Sequence, residues 1–432
     1  MGLLFPFSDP RGAESIPPLV MVEGDGIKVI DENGKSYIDA ASGLWCASLG
    51  FSNKRLAQAA FDQMNRLPYY HSFMGRTVEP AKLLADKVVD LAPNSLAKAF
   101  FSCSGSEAVD LAIKIVWYYN NARGRSEKKR VIARESAYHG SGVLSAGLTG
   151  MNYCHDGFDL PDAFVIRAHR PNYALDAEPG ETEIEFSKRL ASLLDAQIQL
   201  EGAETIAAFI GEPIIGSGGA ILPPEGYWAE IQKVLNRHDI LLIADEIITG
   251  FGRTGEWFGC DAYDIKPDIM TIAKQLSSAY MPISCTLISD KIYQVIADFS
   301  HEKQTFGHGI TYGGHPVAAA VALETLKIYE EMDVCAQVKS LAVHLEQALK
   351  SLDELPGVAR VRSKGLIGAI DLVPDEGSSG THGQRVAQAA EQQGLLYRVV
   401  GDTIALAPPL IITVEELQEV AQRLRNAIAS AA

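Results

Sequence analysis

The chain of 432 residues has no basic run, no closely spaced cysteine pair and no apolar stretch long enough to span a bilayer. Its 38 Lys and Arg against 54 Asp and Glu leave a formal net charge of −16. A polyanion, whether nucleic acid or an anionic membrane surface, finds no counter-charge here. Cys46, Cys103, Cys154, Cys260, Cys285 and Cys335 are scattered, with no C-x-x-C pair and no short His/Cys ligand spacing. That pattern argues against a disulfide framework and a metal centre, and fits reduced thiols in a cytosolic enzyme. The opening MGLLFPFSDPRG has no basic n-region, and Pro6 interrupts its apolar run, so it does not read as a signal peptide. Pro6 also occupies the place where a myristoylation site wants Ser or Thr. The expectation is a soluble, cytoplasmic protein without repeats or low-complexity tracts.

What is present is a globular composition, with 47% apolar and 21% charged residues. Residues 26–40 read as a hairpin, two alternating strands flanking a turn at Glu32-Asn33-Gly34. Beyond residue 55, helical patterns such as 79–91 and 107–120 alternate with short apolar or β-branched runs. These runs lie at 97–102, 130–135, 163–168, 205–214, 240–247 and 285–289. Such alternation predicts an α/β fold with a mainly parallel sheet covered on both faces. After about 320 the texture changes to a long helical pattern over 316–353, a strand-like stretch over 357–373, helical 381–394 and a final helix from 414. Thr413 and Glu416 form a capping-box signature for that last helix. The expected division is a large domain over 56–315 and a smaller α+β domain built from 1–55 and 316–432.

The chemistry concentrates in residues 241–274, LLIADEIITGFGRTGEWFGCDAYDIKPDIMTIAK. One apolar strand runs into Asp245 and another ends on Lys274. Strand ends on one edge of a parallel sheet meet at the ligand crevice. One acid and one lysine delivered there suit pyridoxal phosphate: the lysine can form a Schiff base with its aldehyde, and the acid can hold its pyridine nitrogen protonated. Ile247, two residues past Asp245, projects to the same side and can pack on a flat ring. Upstream, FFSCSGSEAVDLAIK (100–114) reads as strand, tight Ser104-Gly105-Ser106 turn and helix, an arrangement that presents free N–H groups to an anion. A plain capping box between Ser104 and Glu107 explains the same residues without a ligand, and the two readings are compatible. The match of Gly250-Phe251-Gly252-Arg253-Thr254-Gly255 to G-x-G-x-x-G is a decoy. Asp245-Glu246-Ile247-Ile248-Thr249 intervene between the strand and the motif, and no helical pattern follows it. A nucleotide site at the Ser104 turn is disfavoured by the lack of G-x-x-x-x-G-K-[ST].

Together these segments resemble the class III (omega) aminotransferases, pyridoxal phosphate enzymes of fold type I, from GLWCASLG (43–50) to LAPPLIIT (406–413). The resemblance implies Lys274 as the Schiff-base lysine and Asp245 as the partner of the pyridine nitrogen. It implies Tyr138, in AYHGS, stacked on the cofactor ring with Ile247 on the other face, and Ser104, Gly105 and Ser106 at the phosphate. His139 of the same motif and Glu212 of GEPIIGSGG are added to the cofactor site. Thr311, in HGITYGGHP, reaches the partner's active site, so the implied assembly is a homodimer with shared sites, or a tetramer built from it. Trp45 and Arg398 look most like the omega-amino acid or amine:pyruvate branch, with Arg398 gripping the keto acid's carboxylate and swinging away for an amine that lacks one. The alternative for Arg398 is a surface salt bridge. Trp45, Phe73, Met74, Tyr138 and Arg398 are the substrate-binding candidates. Gln275, where a small residue is common, and Met74, where an aromatic is frequent, depart from the family pattern. The implied reaction is ping-pong transfer from a primary amine or omega-amino acid to a keto acid, expected to be pyruvate. Left open are an aminomutase or decarboxylase on the same scaffold, a 2-oxoglutarate-dependent 4-aminobutyrate-type enzyme, and a non-catalytic scaffold.

Overall fold

The structure, a computed structural model, describes residues 2–431 apart from 16, 17 and 94. Three short strands, β1 (Met21–Asp25), β2 (Lys28–Asp31) and β3 (Ser36–Asp39), form an antiparallel meander. The hairpin expected at residues 32–34 joins β2 to β3, and Gly34 takes φ 80°, a conformation that glycine adopts without penalty.

Seven strands then build the central sheet: β4 (Leu96–Ser102), β5 (Arg130–Arg134), β6 (Val165–Ala168), β7 (Ile206–Gly211), β8 (Leu241–Asp245), β9 (Ile269–Ile272) and β10 (Ser284–Ser289). Their spatial order is β4-β10-β9-β8-β7-β5-β6. All pairings are parallel except the two made by β10, which runs antiparallel to both neighbours. Every residue of β7, β8 and β9 is buried, which explains their near-continuous apolar runs. Packed helices include Gly105–Ala122, Glu183–Glu201, Tyr227–Arg237 and Asp290–Glu302.

Five strands complete the chain: β11 (Val358–Lys364), β12 (Ile367–Leu372), β13 (Leu395–Leu396), β14 (Arg398–Val400) and β15 (Thr403–Leu406). Four of them make an antiparallel sheet in the order β11-β12-β15-β14, while β13 pairs in parallel with β3 and so ties the two ends of the chain together. The long helical pattern over 316–353 is in fact two helices, Pro316–Glu331 and Val334–Lys350. Between them Asp333 adopts φ 45°, and its carboxylate accepts the Ala336 N–H at 3.4 Å, a local bond that competes with helix continuation. The box at Thr413 forms: Thr413 N–H donates to Glu416 Oε2 at 2.9 Å and Glu416 N–H to Thr413 Oγ1 at 3.1 Å. Among the described residues no helix is long and apolar enough to cross a membrane.

Candidate active site

The carboxyl ends of β4, β5, β7, β8 and β9 open on one side of the sheet. A cavity of ≈ 380 Å³ lies there. Ser104, Gly105 and Ser106 line one part of it, Tyr138, His139 and Glu212 another, and Asp245, Ile247 and Lys274 a third. The nine cofactor-site candidates that belong to this chain's own cavity thus come from five separate segments. Since β10 runs backwards, Ile283, just before its first residue Ser284, closes the same wall.

The helix Gly105–Ala122 is capped by Ser104. Its Oγ accepts the Glu107 N–H at 3.2 Å, and Glu107 Oε2 accepts the N–H groups of Ser104 at 3.0 Å and Cys103 at 2.7 Å. The capping box is therefore real, and it leaves the Gly105 and Ser106 N–H groups at the helix start directed to the cavity end of the macrodipole. A Cβ on Gly105 would stand 2.8 Å from Ile247 Cδ1, so only glycine lets the turn and Ile247 approach this closely. The Ser106 hydroxyl accepts the Ser141 N–H at 3.0 Å, joining the turn to the segment after β5.

Asp245 is the last residue of β8 and is 3% exposed. Its Oδ2 lies 2.7 Å from Nδ1 of His139, which is also buried, and its Oδ1 accepts the Ile247 N–H at 3.2 Å. The far nitrogen of that imidazole, Nε2, has no partner among the described residues. Glu212 is equally buried and accepts the N–H groups of Tyr138 at 3.1 Å and Gly216 at 2.8 Å. Burial pushes its carboxyl up, His139 pulls it down and Asp245 pushes it up again. Among the described residues neither acid pairs with Lys or Arg, although buried carboxylates are costly without a cation.

Lys274 follows β9 with its backbone at φ 43°, a left-handed conformation that only its surroundings can impose on a residue of this kind. Desolvation lowers the pKa of its amine from the ordinary lysine value, while Cys46, Asp245 and Glu212 raise it and Arg253 lowers it further. The site thus holds an amine biased toward its uncharged form beside a buried acid and a helix start. That donor set fits pyridoxal phosphate: an anion receptor for the phosphate, a carboxylate for a protonated ring nitrogen, and a nucleophilic amine for the aldehyde.

Arg398 lies outside this cavity. Carried on β14, it borders a neighbouring chamber of ≈ 780 Å³ walled by Phe7, Tyr153, Cys154 and Phe158, and the two spaces share Gly140. Phe7 meets Tyr138 and Tyr153 edge to face at 6.4 Å and 6.3 Å. The Arg398 charge bears on both tyrosines, and among the described residues it makes no salt bridge, which corrects the surface-pair alternative. Phe7, Tyr153 and Cys46 escaped the sequence patterns, because nothing periodic links residue 7 to residue 138.

Besides Arg398, four substrate or cofactor candidates do not line the cavity of their own chain: Phe73, Met74, Thr311 and Trp45. Phe73 and Met74 line a separate depression of ≈ 750 Å³ with Phe100, His308 and Ile310. Thr311 stands beside that depression, its carbonyl accepting the Tyr69 hydroxyl at 2.8 Å. Met74 is 89% exposed, so its side chain faces outward. Trp45 is buried in an apolar cluster with Ile214, Ala220, Ile248 and Ala405, of which only Ile248 lines the cavity. That cluster reaches the cavity through Ile248, and Cys46, the residue after Trp45 in the chain, lines the cavity itself.

Comparison with known proteins agrees with this fold. The family model for aminotransferase class-III matches residues 9–428. A probable gamma-aminobutyrate transaminase 3, mitochondrial, of Oryza sativa subsp. indica is 46% identical over 434 residues, covering 99% of this chain and 85% of that protein. Vanillin aminotransferase of Capsicum frutescens is 47% identical over 428 residues, 96% of this chain and 92% of the other. The crystal structure of a thermostable omega transaminase 6-fold mutant from Pseudomonas jessenii superposes with a TM-score of 0.98 at 44% identity, covering 100% of this chain and 97% of that one. The omega transaminase of the same organism in complex with PMP matches with the same TM-score and identity, over 99% and 96% of the two chains.

Proposed function

Because the chain belongs to the class-III aminotransferases, a pyridoxal phosphate-dependent family, we propose a division of labour for its transfer of an amino group from an amine to a keto acid. The bound cofactor supplies an aldehyde that carries the amino group and a protonated ring that takes up the electron pair of the broken C–H bond. The Gly105 and Ser106 N–H groups would hold its phosphate, and Asp245 would keep its ring nitrogen protonated. His139 orients Asp245 through the 2.7 Å contact. Tyr138 and Ile247 would bracket the ring. The Lys274 amine accepts the proton leaving the substrate carbon and returns it, as general base and then acid; partial desolvation keeps that amine available as a base. The observation that carries this reading is the meeting of Lys274 and the buried, His139-bound Asp245 in one cavity at a helix start.

The acceptor we infer is pyruvate. Arg398 is the single arginine bordering either chamber among the described residues, and one guanidinium matches one carboxylate. A second carboxylate, as in 2-oxoglutarate, would enter the aromatic walls of Phe7, Tyr153 and Phe158 without a partner, at a cost of about 1–3 kcal/mol. The same walls suit an amine with an apolar or aromatic substituent. Assaying a panel of amine donors with each acceptor separately tests this. Pyruvate should exceed 2-oxoglutarate in kcat/KM by at least about tenfold, the equivalent of about 1.4 kcal/mol. Equal efficiency, or the reverse order, rejects the pyruvate assignment.

Phe73, Met74 and Thr311 gain a role if two copies associate. We propose that their exposed surface, with Tyr69, Tyr70 and Tyr312, packs on a second copy of the chain and completes that copy's cavity.

A further inference from the structure

Arg253 lies in the glycine-rich loop that failed as a dinucleotide motif, and the aminotransferase reaction as derived above does not use it. Its side chain is fully buried. Nη1 donates to the carbonyls of Leu366 at 3.3 Å and Pro408 at 2.5 Å, and its own carbonyl accepts the Leu366 N–H at 3.0 Å. Nε and Nη2 have no partner, and among the described residues Arg253 forms no salt bridge. Burial brings its pKa down to about 10, so it stays charged at neutral pH; Tyr329 and Cys46 are the ionisable groups acting on it. An apolar side chain of similar length would fill this space without the desolvation cost of a cation. What the guanidinium adds is a planar Nη1 whose two N–H groups tie two carbonyls together in distance and direction.

Those carbonyls are informative. Leu366 immediately precedes β12 and Pro408 follows β15, and these strands are neighbours, with Gly368 opposite Leu406. The next strand is β14, where Arg398 stands opposite Ala405. On the other side, Arg253 belongs to the loop that leaves Asp245, and the nearby Tyr329 hydroxyl donates to the carbonyl of Gln275, the residue after Lys274, at 2.8 Å. One buried side chain therefore joins the ends of the strands next to Arg398 to the segment that carries the reacting groups.

We propose that Arg253 is a positioning residue for keto-acid recognition: it sets where the β14–β15 edge, and with it Arg398, stands over the Lys274 cavity. The proposal rests on the assignment of Arg398 as the carboxylate receptor. A displacement of about 1 Å at a positioned group costs on the order of 100-fold in rate. Only the half-reaction that uses Arg398 feels such a displacement. Loss of Arg253 thus weakens the keto-acid half-reaction and leaves that of an amine without a carboxylate nearly untouched.

The two half-reactions can be followed separately by the absorbance of the bound cofactor in Arg253→Gln, Arg253→Lys and Gly365→Ala enzymes. Gly365→Ala attacks the joint from its other side, since a Cβ there would stand 2.4 Å from the Arg253 carbonyl on a backbone at φ 57°. Arg398→Met measures how large the split is when the receptor itself is lost. A non-reacting monocarboxylate, oxamate, gives a binding readout independent of turnover. Expected are a roughly tenfold or greater rise in pyruvate KM and in the oxamate dissociation constant for Arg253→Gln and Gly365→Ala, with the amine half-reaction within about twofold. Arg253→Lys should recover part of the loss. If Arg398→Met shows the split and the joint variants slow both half-reactions equally, or neither, Arg253 is a structural joint only and the proposal fails. If Arg398→Met shows no split, the receptor assignment itself falls first.

Discussion

Lys274 carries two consequences that can be measured separately. As the proton-moving amine, its replacement by Ala should leave a folded protein that retains cofactor without a borohydride-trappable bond and loses about 10²–10⁴-fold in transamination. Near-normal turnover in that variant would overturn the site. The second consequence concerns stability in the absence of cofactor. The folded pKa of Lys274 is below its unfolded value of 10.5, so the unfolded chain binds more protons between those two values. Stability from this group is therefore lowest below the folded pKa and recovers as pH rises toward 10.5. Cofactor-free Lys274→Met should melt higher than wild type at pH 7, with the difference closing as pH approaches 10.5. A constant difference across that range would mean that packing, not charge, explains it.

At the scale of elements, the turn into the helix Gly105–Ala122 combines an observed cap with the anion receptor proposed above. The cap uses the Ser104 side chain and Glu107, while the proposed receptor would use backbone N–H groups one and two residues later. Gly105→Ala sets these apart. Its new Cβ would meet Ile247 Cδ1 at 2.8 Å, so the turn must move off the cavity although the cap survives. Cofactor dissociation should rise by about tenfold with little change in melting temperature, and Ile247→Ala in the same chain should restore part of the loss, since the two changes share one contact. Simple additivity of the two variants would argue against that contact. The break at Asp333 teaches the complementary lesson. The 3.6-residue apolar period runs through 316–353 without interruption, and only the left-handed Asp333 and its bond to Ala336 divide it.

For the whole molecule, the separation of Phe73, Met74 and Thr311 from their own cavity makes assembly a testable matter of function. Light scattering should give at least twice the 46.7 kDa chain mass, and Thr311→Ala should weaken cofactor binding without altering the fold. A monomer that is fully active would remove the case for shared sites. Much of the candidate site was legible in the sequence, because Asp245 ends one buried strand, Lys274 follows another, and the Ser104 turn starts a helix with one apolar face; these patterns are local. Local pattern also determined the α/β class, the hairpin at residues 32–34 and the last helix cap. It could not decide which distant segments share a space. That Trp45 packs in an apolar cluster with Ile214, Ile248 and Ala405, that Phe7 meets Tyr138, that β10 runs antiparallel and that Arg253 joins the β12 and β15 ends all depend on contacts between residues far apart in the chain. Such contacts leave no period in the sequence, since they arise only when the sheet order and the packing of its edges bring those residues together.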